Sequence, residues 1–227
     1  MASGLSSLSD KQSRMFQTND DVILSMRAYN LTIGLTVLYG VIVNALLSYY
    51  FAPQILAINP IALLIGYFVL VFIGSFITYR SKSPVMSFVG YNLVCLPIGA
   101  VLTVCVQGYS AEVVGQAFIL TAVITGVMLL ASTAFPGTFA GMGRMLFIGL
   151  IGIIVANIVC LLFTIQTTLI SWAAAVLFSL YIGYDWVRAQ QYVPTLDHAI
   201  DSALDIYIDV VNLFLQLLAI FGNSDDN

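Results

Sequence analysis

Seven long apolar runs with almost no charge inside them dominate this 227-residue chain, and they leave it few folds to choose from. They lie near Val22–Phe51, Ile58–Tyr79, Pro84–Val106, Val113–Phe135, Met142–Ile165, Thr168–Val187 and Ala199–Phe221. A helix needs about 20 apolar residues to cross the hydrocarbon core of a bilayer. Each run meets that length, whereas barrel strands would be about half as long and would alternate polar with apolar positions. Soluble domains carry roughly a quarter of their residues as Asp, Glu, Lys and Arg. At 8% charged, this chain cannot cover a water-facing surface. The expected fold class is therefore an all-α polytopic membrane protein with seven transmembrane helices over 22–222. A polar tail over 1–21 precedes them and a short polar tail over 223–227 follows. The first tail has no apolar core and does not read as a cleavable signal peptide.

Turn chemistry separates the runs: Ala52-Pro53, Asn59-Pro60, Ser81-Lys82-Ser83-Pro84, Gln107-Gly108, Pro136-Gly137 and Val193-Pro194. The basic residues sort by side. Lys11, Arg14 and Arg27 sit before or at the start of the first helix, Arg80 and Lys82 in the second connection, Arg144 in the fourth and Arg188 in the sixth. The odd-numbered connections hold none. By the positive-inside rule the N-terminus is cytoplasmic, with Tyr49 and Tyr50 anchoring one interface and Trp186 and Tyr192 the other. The seventh run either crosses or dips in and returns; its length favours crossing. Gly66 and Gly74 on the second helix, and Gly149, Gly152 and Ala156 on the fifth, predict close helix contacts. Pro97 predicts a kink in the third. Cys95, Cys105 and Cys160 lie within apolar runs without metal-ligand spacing and read as packing residues. No basic patch suggests nucleic acid.

An ionisable side chain within a membrane is costly and is a functional candidate by default. Here the set is Asp185 in the sixth helix, Asp205 and Asp209 in the seventh, and Asp201 nearer the interface. Asp185 lies about 12 Å along its helix from the Val193-Pro194 turn and Asp209 about 18 Å, at 1.5 Å per residue. The two carboxylates can thus lie within about one helical turn of the same depth on adjacent antiparallel helices. Asp201, Asp205 and Asp209 repeat at every fourth residue and form one polar stripe that cannot face lipid. Two carboxylates in one dry site cannot both ionise cheaply, so they share a proton and titrate as a unit. Ionised, they offer oxygen ligands to a hard cation such as Ca²⁺. Plainer readings stand beside these. Asp201 suits a helix start, Asp205 can snorkel, Asp185 and Asp209 can be a structural pair, and Arg80 can be a topology charge. His198 reads as an exposed loop residue, and Glu112 as a carboxylate at a helix N-terminus.

The run Leu180-Tyr181-Ile182-Gly183-Tyr184-Asp185 and the run Ala203-Leu204-Asp205-Ile206-Tyr207-Ile208-Asp209-Val210-Val211-Asn212-Leu213-Phe214 resemble the transmembrane Bax-inhibitor-motif family. Phe76-Ile77-Thr78-Tyr79-Arg80 and Leu96-Pro97-Ile98 add weaker support, and the short connections resemble bacterial members. The resemblance implies two three-helix layers around a central C-terminal helix, in a bacterial inner membrane. It also implies a pH-sensitive calcium leak whose sensor is a hydrogen-bonded aspartate pair, mapping onto Asp185 and Asp209, with a contacting arginine mapping onto Arg80. Asp205 and Asp201 then extend the ion path, and no cofactor is implied beyond Ca²⁺ as transported ion. Some bacterial relatives are linked instead to inhibition of a membrane-bound AAA protease and lack the pair. The alternative function is thus an interaction protein that restrains another membrane protein. An intramembrane aspartyl protease is disfavoured. Tyr184-Asp185 fits half of that chemistry, but Tyr207-Ile208 stands where two small residues would admit a substrate backbone. The expectation is no enzyme.

Overall fold

The computed structural model describes residues 22–163 and 168–225. The N-terminal stretch with Lys11 and Arg14 lies outside the described residues, as do residues 164–167 and the last two positions of the expected C-terminal tail. The described residues form α1 (Met26–Tyr50), α2 (Ala52–Leu56), α3 (Pro60–Arg80), α4 (Pro84–Val106), α5 (Ala111–Ala134), α6 (Pro136–Ala140), α7 (Gly143–Phe163), α8 (Thr168–Ala189) and α9 (Leu196–Asp225). Seven of these are long and apolar enough to cross a membrane, as the seven apolar runs require. Helices are the natural choice in lipid because every backbone group is then paired within its own segment. Two short helices, α2 and α6, fill the first and fourth connections.

Capping residues set the boundaries. Ser25 accepts a hydrogen bond from the Ala28 amide, which starts α1 four residues later than hydropathy alone suggested. Asn59 caps α3 through the Ile61 and Ala62 amides, with Pro60 in the first helical position. Ser110 caps α5, and Glu112 sits in its first turn, where a carboxylate meets the positive helix end. Thr195 caps α9: its hydroxyl accepts from the His198 amide at 3.2 Å. That cap starts α9 at Leu196, three residues before the expected position, and draws His198 into the helix. The helix then runs unbroken for 30 residues to Asp225, about 45 Å. A segment that dips in and returns would need a break, so the re-entrant reading falls. The helix also takes in Asn223, Ser224 and Asp225 of the expected tail.

The chain divides into two compact units, the first made of residues up to Val104 with Ala189–Asp205, the second of Cys105–Arg188 with the chain from Ile206 onward. In the first unit, α1 and α4 are joined by hydroxyl groups at three levels. Tyr91 donates to the Thr36 carbonyl at 2.9 Å, Tyr39 to Asn92 Oδ1 at 2.7 Å, and Ser48 pairs with Thr103 at 2.9 Å. Between α3 and α4 the backbones meet through Gly74 and Gly90. A Cβ on Gly74 would lie 2.7 Å from the Gly90 carbonyl oxygen. This is the small-residue contact expected for Gly74; Gly66, by contrast, faces open space. Pro97 lies inside α4 and is buried.

In the second unit, Val113 and Ala117 of α5, Ala174, Phe178 and Ile182 of α8, and Leu213 and Leu217 of α9 make one buried apolar core. Gly149 of α7 admits Leu177, whose Cδ1 would stand 2.9 Å from an added Cβ, whereas Gly152 has no neighbour. In lipid such contacts hold helices together by packing, since burial from water no longer drives association.

Candidate functional site

Two sets of acidic side chains stand out among the described residues, one in each unit. In the second unit, Asp185 lies in the penultimate turn of α8 and Asp209 about halfway along α9. Asp209 is 6% exposed, and the Asp185 side chain 11%. The phenol of Tyr181, one turn before Asp185, lies close enough to both carboxylates to feel their charge. Tyr181 packs edge-on to Tyr184, with ring centroids 6.4 Å apart. The structure therefore gathers Asp185 and Asp209 around one half-buried phenol.

The last turns of α8 are held by bulky contacts. Phe139, buried on the short helix α6, sits against Gly183, where any Cβ would strike its ring. Tyr184 lies over Gly143 with its hydroxyl 2.7 Å from where a Cβ would be. The Trp186 indole donates to Thr133 Oγ1 at 3.2 Å. Trp186 thus has a defined polar partner besides serving as an aromatic residue near a helix end. The arginine that meets Asp185 is Arg188, with Nη1 3.5 Å from Oδ1. Arg80 is exposed at the end of α3, its guanidinium 5.5 Å from the Phe76 ring centre of its own helix.

In the first unit, Asp197, Asp201 and Asp205 follow one another at every fourth residue along α9. Asp201 is buried near the Tyr29 phenol and is no interfacial helix start. Asp205 does not snorkel outward; it accepts a hydrogen bond from the Tyr79 hydroxyl. Asp197 is buried too and accepts from Ser87 at 2.6 Å. The sequence reading passed over Asp197, although it lies one turn before Asp201 on the same stripe. It falls two residues before the expected start of the seventh run at Ala199. His198 is likewise corrected: it is buried, its Nδ1 is 2.8 Å from the Val193 carbonyl, and its ring lies beside Tyr192. The hydroxyl–carboxylate bonds from Tyr79 and Ser87 tie α3 and α4 to the opening turns of α9.

Hydroxyl donors of this kind give buried carboxylate oxygens the partner they need away from water. Among the described residues, no three His, Cys, Asp or Glu side chains converge as a metal-ion cage. Asp185 and Asp209 could supply only part of the six to eight oxygens that Ca²⁺ takes.

The family model described as "Inhibitor of apoptosis-promoting Bax1" matches residues 21–226. The chain belongs to this Bax inhibitor family. An uncharacterized protein of Helicobacter pylori is 36% identical over 116 residues, half of this chain and 49% of its own length. The inner membrane protein YbhL of Escherichia coli is 32% identical over 128 residues, 51% of this chain and 54% of its own. An uncharacterized protein of Caulobacter vibrioides is 29% identical over 183 residues, 75% and 73% of the two chains. The matched stretch spans about half the length of the first two relatives. This Bax-inhibitor-family chain is thus an integral membrane protein with bacterial inner-membrane kin.

Proposed function

We propose that this protein is a pH-sensitive cation leak channel, with Ca²⁺ as its transported ion and the Asp185–Asp209 pair as its sensor. One observation carries the reading: two nearly buried carboxylates on α8 and α9 both act on the Tyr181 phenol. Burial of acid in a membrane span is retained at a cost and marks ion or proton pathways. Protonation of one member of the pair changes the charge on these helices by a whole unit, and in this reading that change alters their packing. The pair handles ions and protons and does no bond-breaking chemistry. In this reading the N-terminus faces the cytoplasm, because the even-numbered connections carry the basic residues.

The test is Ca²⁺ entry into proteoliposomes between mildly acid and mildly alkaline pH. Asp185→Asn and Asp209→Asn should each flatten or shift the pH profile, and the double variant should add little, since the two act as one titrating unit. Flux whose pH profile is unchanged in both single variants would refute the sensor. No flux at all would favour the alternative role of restraining another membrane protein.

A further inference from the structure

The ion pair on α8 has a consequence for how a cation reaches the acidic pair. Asp185 and Arg188 are three residues apart on one helix and so share a face. The pairing therefore needs no particular arrangement of the other helices. Their depths differ: the Asp185 carboxylate is 11% exposed and the Arg188 side chain 32%. Arg188 is thus the more exposed partner of the pair. Its Nη1–Oδ1 separation of 3.5 Å is longer than a charge-assisted hydrogen bond of about 2.7–2.9 Å. The contact is an ion pair that can be displaced.

The two partners differ in freedom. Asp185 is fixed on a helix end that Phe139 holds at Gly183, that Tyr184 braces against Gly143 and that Trp186 ties to Thr133. Arg188 has a longer side chain and is more exposed. A guanidinium also stays charged across the physiological pH range, so the pairing does not fade through loss of its own proton. Arg188 pairs with Asp185, and Tyr181 feels the charge of both Asp185 and Asp209. Arg188 is a cation held beside Asp185.

We infer that Arg188 is a tethered counter-ion that occupies the Asp185 carboxylate and competes with a divalent cation for it. Arriving Ca²⁺ meets a fixed positive charge and must displace it before it can use the Asp185 oxygens. Arg188 therefore sets cation affinity at the pair. This inference rests on the channel reading and deepens it. The competing explanation is purely structural: a positive charge that fixes topology and complements the negative end of α8.

The experiment uses the full chain, purified and reconstituted in phosphatidylcholine–phosphatidylglycerol vesicles. Two readouts are taken at one fixed pH: Ca²⁺ entry, and equilibrium Mn²⁺ binding by electron paramagnetic resonance, which needs no conduction. Arg188→Gln should bind Mn²⁺ about tenfold tighter and carry Ca²⁺ at correspondingly lower concentration. That is the size of one unit charge acting on a divalent ion a few ångströms away under water-like screening. Arg188→Lys keeps the charge and should give a smaller gain. Asp185→Asn in the Arg188→Gln background should erase it. Since Arg188→Gln could disturb insertion, Arg188→Cys provides the same test on folded protein. A positively charged methanethiosulfonate should reverse its gain, and a neutral one should not.

If folded Arg188→Gln matches wild type in both readouts, or if both reagents act alike on Arg188→Cys, the tethered counter-ion is overturned while the channel survives. A wild-type protein that neither binds Mn²⁺ nor passes Ca²⁺ overturns the channel reading, and this inference with it.

Discussion

Adding one methyl group at Gly90 tests whether α3 and α4 pack as closely as described. A Cβ there would lie 2.7 Å from both the Gly74 carbonyl oxygen and the Thr78 amide nitrogen, with the Thr78 hydroxyl closer still. Two of those three neighbours are backbone, so no rotamer change relieves them. The helices must separate by roughly 1 Å to regain ordinary contact, and even a gap of that size forfeits a quarter to a half of each lost dispersion contact. Overpacking of this sort costs about 1–3 kcal/mol, and a backbone-limited case belongs near the top of that range. In a chain of this length, about 2–3 kcal/mol corresponds to a melting shift of roughly 4–12 °C. Gly66→Ala is the internal control. It changes the same residue type on α3, but an added Cβ there has nothing within 4 Å. The measurement is thermal unfolding of purified protein in one detergent at a fixed scan rate, followed by size-exclusion fluorescence. A Gly90→Ala protein that melts with Gly66→Ala would show that the two helices are not in backbone contact.

Four further outcomes are expected. Ser87→Ala should lower stability by about 1–3 kcal/mol, because it strips a donor from the buried Asp197 carboxylate, while Ser87→Thr should restore part of it; equal melting of both variants would remove the tie. Gly222→Ala should destabilise the protein by driving a methyl into the Tyr109 ring, and Tyr109→Ala in the same chain should relieve most of that loss; additive losses would contradict the contact. His198→Ala should leave the pH profile of any flux in place but cost about 1 kcal/mol through the lost Val193 hydrogen bond, and a shifted profile would make His198 a sensor. With the native cysteines replaced, Gln54→Cys should react with an impermeant reagent outside intact cells, and Lys82→Cys only after permeabilisation; the reverse pattern would invert the proposed orientation.

Fold class, helix number and approximate spans were determined by the sequence alone, because the bilayer imposes a length and a polarity rule that acts on each segment separately. For the same reason Asp185 and Asp209 could be picked out without a partner in view: a carboxylate in an apolar run is anomalous wherever the helix goes. Helix ends were less legible where one cap outweighed hydropathy, as Thr195 does in bringing His198 and Asp197 inside α9. Only the tertiary structure decided which groups meet. Sequence put Arg80 beside the acidic pair and read Arg188 only as a charge in the sixth connection, whereas the coordinates show Arg80 over Phe76 and Arg188 beside Asp185. Likewise Gly66 and Gly74 look alike along α3, yet one faces open space and the other a neighbouring backbone. Periodicity fixes the face of a residue on its own helix; what lies opposite that face depends on how separate helices pack, and no local rule in the chain encodes it.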